Sequence, residues 1–267
     1  MFLKNGAVVL FFFKSRLAGY RRYKFVCYDR SIKFMKEVGE MTDAKQIIKN
    51  FEVVFILDRS GSMSGLEGDT IGGFNANLRK QRELSGKVLI STVLFDDRIK
   101  VLHNRLNVQK VPDLTEKDYY VGGCTAMLDA VGGSIRHIVR MQKKMKPEDR
   151  PEKTLFVIIT DGMENASREY TWKQVKSLIS RQREQGWEFL FLGANIEAGD
   201  VAEDMGIDRR RAAKYAPSKK GVRLNYDSLT DAMCFMAREG FINECWKEEI
   251  ESNLAEEEAD VNSRTEE

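Results

Sequence analysis

The sequence is poor in cysteine, histidine and proline, and neither sign of charge is in clear excess. Its 267 residues include four cysteines, two histidines and four prolines, and the formal net charge is +2. Because the charges nearly cancel, no global field favours nucleic acid as a partner. The cysteines show no Cys-x-x-Cys spacing, and a chain of this size needs no disulfides to fold. We therefore expect free thiols in a reducing cytosol.

Long apolar runs and a phosphate-binding loop are also missing. The apolar run Ala7–Phe13 follows Lys4 as in a signal peptide, but it stops at Lys14 and is too short to span a bilayer. No clean cleavage site follows it. We therefore expect a cytoplasmic protein whose natural start lies downstream, at Met35 or Met41, with a secreted or membrane-associated protein as the alternative. No Gly-x-x-x-x-Gly-Lys sequence is present, which excludes ATP binding by that route.

Charge is distributed unevenly along the chain. The first forty residues carry nine Lys or Arg against three acids, whereas the last twenty-one carry nine acids against two basic residues. With 42% hydrophobic residues, the chain can bury one sizeable core. We predict an extension at residues 1–50 that is disordered or begins at a mis-assigned start, one domain at residues 51–240, and an acidic tail at residues 241–267. Within the tail, residues 247–267 are expected to form a solvated helix that frays into disorder.

From residue 51 onward, apolar runs of strand length alternate with amphipathic stretches of helix length. This alternation predicts an α/β fold with a doubly wound (Rossmann-like), mainly parallel sheet and helices on both faces. The predicted strands are Phe51–Leu57, Lys87–Phe95, Ile99–Leu106, Leu155–Ile159, Trp187–Leu192 and Ala212–Ala216. Helical faces are predicted at Ile71–Leu78, Leu128–Val139, Trp172–Ile179, Ala198–Met205 and Tyr226–Arg238. The turn before Ile99 makes its strand an antiparallel edge strand.

Polar residues stand where two of these strands end and where one helix begins. Asp58, Ser60 and Ser62 come directly after the first predicted strand, Asp161 follows the fourth, and Thr125 lies in a Gly-rich loop before a helix. In doubly wound sheets ligands bind at the carboxyl ends of strands, where the strand order reverses, so we expect these side chains to converge. Carboxylates and hydroxyls are hard oxygen ligands that suit Mg²⁺ or Mn²⁺. The alternative is that the hydroxyls only cap helices.

The order of these residues resembles the von Willebrand factor A (vWA) family and its metal-ion-dependent adhesion site (MIDAS). That site combines an Asp-x-Ser-x-Ser loop, a distant Thr and a more distant Asp. The resemblance covers roughly residues 51–238. It implies a complete Mg²⁺ or Mn²⁺ site formed by Asp58, Ser60, Ser62, Thr125 and Asp161.

The resemblance also implies a function. In the family a coordination position stays open to the Asp or Glu carboxylate of a partner. The chain is therefore expected to be a non-catalytic, metal-dependent protein–protein interaction module. Its protein partner is unknown, and it could act as a subunit of a larger assembly.

The main alternative is a metal-dependent phosphohydrolase of haloacid-dehalogenase-like topology, which also places an Asp after the first strand. Such enzymes need a second acid two residues on, and Ser60 occupies that position. Asp161 and Glu164 could still supply two acids to a metal. Cys124 is expected to fill a tight loop rather than to act as a reactive thiol. Both His103 and His137 are expected to be structural.

Overall fold

The computed structural model describes residues 15–17, 20–27, 36–41 and 48–265. The chain divides into two compact units, residues 1–45 and 46–267. In the first unit an antiparallel sheet has the order β1 (Ser15–Leu17), β2 (Tyr20–Cys27) and β3 (Lys36–Met41). The apolar run at residues 7–13 and the expected start at Met35 lie outside the described residues. The division of the chain at residues 50 and 240 stays a prediction.

A six-stranded sheet forms the centre of the second unit. Its strands are β4 (Asn50–Asp58), β5 (Lys87–Phe95), β6 (Ile99–Asn107), β7 (Lys153–Thr160), β8 (Glu188–Gly193) and β9 (Ala212–Lys214). The order is β6-β5-β4-β7-β8-β9, and every neighbouring pair is parallel except β5 and β6. This confirms the predicted doubly wound sheet with one antiparallel edge strand.

The central strands are buried on both faces because their sequences are nearly continuous apolar runs. Successive side chains of a strand point to opposite faces. In β4, Val53, Phe55 and Leu57 therefore enter one core, whereas Val54 and Ile56 enter the other. The sheet thus separates two apolar layers.

Helices cover both faces of the sheet. They are α1 (Glu67–Arg82), α2 (Met127–Lys143), α3 (Trp172–Glu184), α4 (Ala198–Asp204), α5 (Lys219–Glu239) and α6 (Glu248–Thr265). Helices α1, α5 and α6 contribute to the first core, and α2, α3 and α4 contribute to the second. Four single turns of 3₁₀ helix lie at Gly61–Met63, Val108–Lys110, Pro147–Asp149 and Arg209–Arg211.

Helix α5 begins seven residues before the predicted position. The Ser218 hydroxyl caps it by accepting a hydrogen bond of 3.0 Å from the backbone N–H of Gly221. The first two turns are largely polar, so apolar periodicity alone does not find them. The prediction of this helix boundary was wrong for that reason.

The acidic segment near the end of the chain has a buried side. Ile250 of α6 is 1% exposed and packs in the first core together with Trp246. The Trp246 indole N–H donates to the carbonyl of Arg210 at 2.9 Å. The helix expected here is therefore anchored to the domain over its first turns. Among the described residues, no helix is long and apolar enough to cross a membrane.

The strand order reverses between β4 and β7, which are parallel neighbours. The chain leaves β4 toward β5 on one side, and it leaves β7 toward β8 on the other. Asp58 ends β4, and Asp161 follows β7 directly. Asp58 and Asp161 therefore lie at the reversal of strand order, where ligands bind in doubly wound sheets.

Candidate metal centre

Asp58 is held in place from both sides of its carboxylate. The backbone N–H of Ser60 donates to Oδ1 at 2.7 Å, and the Thr160 hydroxyl donates to Oδ2 at 2.5 Å. The carbonyl of Asp58 accepts a hydrogen bond of 2.5 Å from the Tyr119 hydroxyl. A carboxylate has about four lone-pair positions, so these two bonds fix its orientation and leave it able to accept further partners.

The two serine hydroxyls of the loop after β4 lie side by side. The single 3₁₀ turn Gly61–Met63 places Ser60 Oγ and Ser62 Oγ 3.0 Å apart. The Ser62 hydroxyl also donates to Oδ1 of Asp161 at 2.6 Å. The loops after β4 and β7 therefore contact each other through the residues that the sequence singled out.

Thr125 completes a ring of hydroxyls around Gly162. A Cβ atom at Gly162 would lie 3.0 Å from Thr125 Oγ1, 3.1 Å from Ser62 Oγ and 3.8 Å from Ser60 Oγ. Three hydroxyl oxygens from two distant segments thus surround one small volume. Any side chain larger than hydrogen at residue 162 would enter it.

Hydrogen bonds join the Thr125 loop to the loops after β4 and β7. The N–H of Gly61 donates to the carbonyl of Gly123 at 3.2 Å. The Thr125 N–H donates to Asn165 Oδ1 at 2.9 Å, and the Asn165 N–H donates to the Thr125 carbonyl at 3.0 Å. Gly123 has φ 75°, and a Cβ there would collide with Asp97 Oδ1, so this position requires glycine.

Burial dominates the electrostatics of the two carboxylates. Desolvation raises the pKa of Asp58 to about 6, against the hydrogen bonds from Thr160 and Ser60, which lower it. The nearby Asp161 raises it further. Desolvation also raises the pKa of Asp161, and the hydrogen bond from Ser62 opposes that shift. The ionised form of each carboxylate is therefore disfavoured in this buried site unless a cation lies nearby.

The residues present fit a divalent cation. Oδ2 of Asp161 is buried and has no hydrogen-bond partner among the residues that the structure describes. An unpartnered buried carboxylate oxygen is costly, and a cation would satisfy it. No cluster of three or more His, Cys, Asp or Glu side chains suited to a metal occurs in the described part of the chain. A site here would consist of two acids and three hydroxyls, a hard-oxygen set suited to Mg²⁺ or Mn²⁺.

A buried ion pair stands beside the site. The Arg59 guanidinium lies 2.9 Å from Asp96 Oδ2, and both side chains are at most one-tenth exposed. The ring of Tyr120, which is exposed, lies 4.8 Å from the guanidinium carbon. The Arg59 carbonyl also accepts a hydrogen bond from Gly122 at 2.9 Å. Arg59 therefore links the loop after β4 to Asp96 and to the segment at residues 120–122.

The Glu164 carboxylate accepts hydrogen bonds at the start of α2 and within its own loop. One of its oxygens accepts from the backbone N–H of Leu128 at 2.8 Å, and the other accepts from Ala166 and Ser167 at 3.0 and 2.8 Å. The Ser167 hydroxyl donates to the first of these oxygens, Oε2, at 2.8 Å. These bonds satisfy the carboxylate as a helix cap, so it is not free to act as a second acid beside Asp161.

The histidines lie away from this point of the sheet. His103 is buried in β6, with Nδ1 3.1 Å from the Thr92 hydroxyl, and burial lowers its pKa. His137 lies in α2, with Nε2 2.8 Å from Asn104 Oδ1, and burial lowers its pKa too. Cys124 is an exposed free thiol next to Thr125.

Solved structures share the architecture of the second unit. The vWF domain of the type V pili tip protein Mfa5 from Porphyromonas gingivalis matches 74% of this chain and 99% of its own, with 10% identity and a TM-score of 0.53. The chain has a von Willebrand factor A fold. The pilus adhesin SpaC from Lactobacillus rhamnosus GG matches 79% of this chain with 12% identity and a TM-score of 0.55.

The likeness to known proteins is structural. No family model matches the chain, and no curated protein matches it in sequence. Proximal thread matrix protein 1 from the mussel byssus aligns with 13% identity over 70% of this chain, at a TM-score of 0.47. The chain spans 46% of that protein and 34% of SpaC. At these identities the comparisons establish the fold alone.

The structure brings all five residues of the predicted site together within this vWA fold. The sequence alone did not identify their supporting partners, which are Thr160, Asn165, Tyr119, Gly162 and the Arg59–Asp96 pair. The contact of Thr160 could have been predicted from the sequence. Thr160 ends the strand beside β4, so its hydroxyl lies level with Asp58. Asn165 bonds to Thr125 across 40 positions of sequence, and Tyr119 bonds to Asp58 across 61. No local sequence pattern reveals contacts of this length.

Proposed function

We propose that this vWA domain is a metal-dependent protein–protein interaction module. In this proposal a complete MIDAS, formed by Asp58, Ser60, Ser62, Thr125 and Asp161, holds Mg²⁺ or Mn²⁺. The ion then binds the Asp or Glu carboxylate of a partner protein. Three hydroxyls converge beside Oδ2 of Asp161, which has no partner among the residues described, and this observation carries the proposal.

The donor set explains why an outside carboxylate would bind. A divalent ion with three neutral hydroxyl donors would stay electrophilic and would gain by exchanging a water for a carboxylate. Asp58 and Asp161 balance the charge from fixed positions, since hydrogen bonds from Thr160, Ser60 and Ser62 orient them. Binding of this kind needs no covalent step. We therefore propose a non-catalytic role.

The phosphohydrolase alternative finds less support in the geometry. A general acid and base would be needed two residues after Asp58, and Ser60 stands there with its hydroxyl against Ser62. Glu164, the other acid considered, caps α2. A turnover assay with p-nitrophenyl phosphate should give the same rate for the wild-type chain and for Asp58→Ala.

The partner and the compartment also stay proposals. Mfa5 and SpaC are pilus proteins, which favours the secreted alternative over a cytoplasmic location. A protein partner, in a pair or in a larger assembly, is the expectation that we retain. No feature of the candidate site favours nucleic acid.

Panning a random peptide library on the immobilised full chain tests the proposal. In Mg²⁺ the chain should retain peptides that EDTA releases, and these peptides should share an Asp or Glu. Replacing that residue by Asn or Gln should abolish retention, because an amide lacks the charge that binds the ion. Retention that survives both EDTA and the Thr125→Ala change would contradict the proposal.

A further inference from the structure

A groove between α2 and α3 concentrates positive charge away from the candidate metal centre. Its volume is about 990 Å³, and Glu152 is the one acid among its described lining residues. The lining contains six cationic side chains, those of Arg136, Arg140, Lys143, Lys144, Arg150 and Arg181. The groove lies at the carboxyl ends of the two helices, next to the amino end of β7.

None of these six cations forms an ion pair within the described part of the chain. Their contacts are to neutral groups: Arg136 lies 5.2 Å from the Tyr170 ring, and Arg140 lies 3.3 Å from His137 Nδ1. Arg150 donates weakly to the carbonyl of Met145 at 3.4 Å. Cations near the carboxyl end of a helix interact favourably with its dipole, by about 0.3–1 kcal/mol each. The dipole is equivalent to only about half a negative charge at that end, so it does not neutralise six cationic side chains. The groove therefore fits an anionic partner.

Helix α6 presents the opposite charge along one side. Glu249 and Asp260 are exposed and form no ion pair within the described residues. Glu249 and Asp260 lie eleven positions apart, three helical turns, and so point to the same side of α6. Because Ile250 is anchored in the first core, this acidic side is fixed on the surface of the domain.

The two charged surfaces cannot meet within one molecule. The groove is built on α2 and α3, which pack on the second core, whereas α6 packs on the first core across the sheet. The whole chain is nearly neutral, with 43 basic and 41 acidic residues. Complementary surfaces on opposite faces of one molecule can be satisfied by other copies.

We infer that the α2–α3 groove binds the acidic side of α6 from a second copy of this chain. The contact joins two different surfaces and is therefore heterologous, so it adds molecules head to tail instead of closing a two-fold dimer. It is electrostatic and weakens as salt shortens the Debye length, from about 10 Å at 0.1 M to about 3 Å at 1 M. The contact does not involve the metal centre.

Sedimentation velocity of the full chain over a concentration series tests the inference. At about 0.1 M salt the weight-average mass should rise with concentration, and at about 1 M salt the chain should sediment as a monomer. The double variants Arg140→Glu/Lys143→Glu and Glu249→Lys/Asp260→Lys should each stay monomeric. An equimolar mixture of the two should associate again, because each then meets the opposite charge.

Two controls separate this contact from general effects of charge. Lys110→Glu/Lys173→Glu makes the same change in net charge at exposed residues outside the groove and should associate like the wild type. Asp58→Ala should also associate like the wild type. A monomeric wild-type chain at low salt, or association that the groove and helix variants leave unchanged, would overturn the inference. Binding of duplex DNA by a monomeric wild type but not by the groove variant would overturn it too, and would assign the groove to nucleic acid.

Discussion

The Ser62 hydroxyl donates a hydrogen bond of 2.6 Å to Asp161 Oδ1 across 99 positions of sequence. Ser62 belongs to the turn after β4 and Asp161 to the loop after β7, so the bond joins two loops where the strand order reverses. It orients Asp161 while Oδ2 stays buried without a partner among the described residues. The chain thus holds its oxygen atoms in a fixed arrangement that favours a cation.

Gly162→Ala should abolish metal binding while the domain stays folded. The added methyl would lie 3.0 Å from Thr125 Oγ1 and 3.1 Å from Ser62 Oγ, inside the volume that the hydroxyls surround. Calorimetric titration with Mn²⁺ measures the loss, and circular dichroism checks the fold.

Gly72→Ala is the matched control for that change. A Cβ at Gly72 meets nothing within 4 Å, and the residue lies inside α1. The control should bind Mn²⁺ like the wild type and should be more stable by about 1 kcal/mol, since Ala favours a helix over Gly. Equal Mn²⁺ affinity in both alanine variants would show that the hydroxyls do not surround the ion.

Asp58→Asn should stabilise the metal-free chain at neutral pH. Burial raises the pKa of Asp58 from 3.8 to about 6, so its ionisation costs up to about 3 kcal/mol of folding free energy above pH 6. Asn removes that cost and can still accept from the Ser60 N–H. The Thr160 hydroxyl can then donate to the Gly162 carbonyl, which lies 3.2 Å away. Thermal unfolding at pH 7.5 should show the higher midpoint for Asp58→Asn.

The pH dependence of this difference has a definite sign. A carboxylate with a raised folded-state pKa contributes stability below its unfolded pKa, and that stability is lost as pH rises through about 4 to 6. The gap between Asp58→Asn and the wild type should therefore close when the pH falls from 7.5 to about 4. Saturating Mn²⁺ should reverse the order at pH 7.5, because only the wild type binds it. A gap independent of pH would contradict the assignment to Asp58.

Ser62→Ala should lower the stability of the metal-free chain by about 1–3 kcal/mol, because a hydrogen bond to a charged acceptor is lost. Urea unfolding measures this effect. The conservative change Ser62→Thr keeps a hydroxyl and should retain most of the stability. Equal losses in both variants would mean that packing, not the bond to Asp161, is responsible.

Asp96→Asn should destabilise the chain by about 3–5 kcal/mol, since it leaves the buried Arg59 charge without its carboxylate. Asp97→Asn is the control, because its contact with Arg98 is long, 4.0 Å, and both side chains are exposed. That change should cost less than about 1 kcal/mol. Similar midpoints of urea unfolding for the two variants would contradict a structural role for the Arg59–Asp96 pair.

Much of the fold could be predicted from the sequence, because its strongest patterns are local. Apolar runs such as residues 51–57 have strand length, and acids follow two of them directly. Those positions predicted that Asp58 and Asp161 end neighbouring strands, and the sheet order confirms it.

The parts that the sequence did not predict depend on long-range packing. Asn165 holds Thr125 across 40 positions, and Tyr119 reaches the carbonyl of Asp58 across 61. The buried side of α6 rests on Ile250 and Trp246, two apolar residues in a segment whose composition is dominated by Glu. The amino-acid composition of that helix reflects its many solvent-exposed residues. It does not reveal the few residues that contact the core.

Titration of Mg²⁺ and Mn²⁺ into the metal-free full chain, beside Thr125→Ala, tests the central claim most directly. We predict saturable binding of one ion to the wild type, with a marked loss of affinity in Thr125→Ala. The unfolding midpoint of the wild type, and not of the variant, should rise with the ion. Indistinguishable binding to the two proteins, or no binding to either at millimolar ion, would contradict a metal site formed by these five residues.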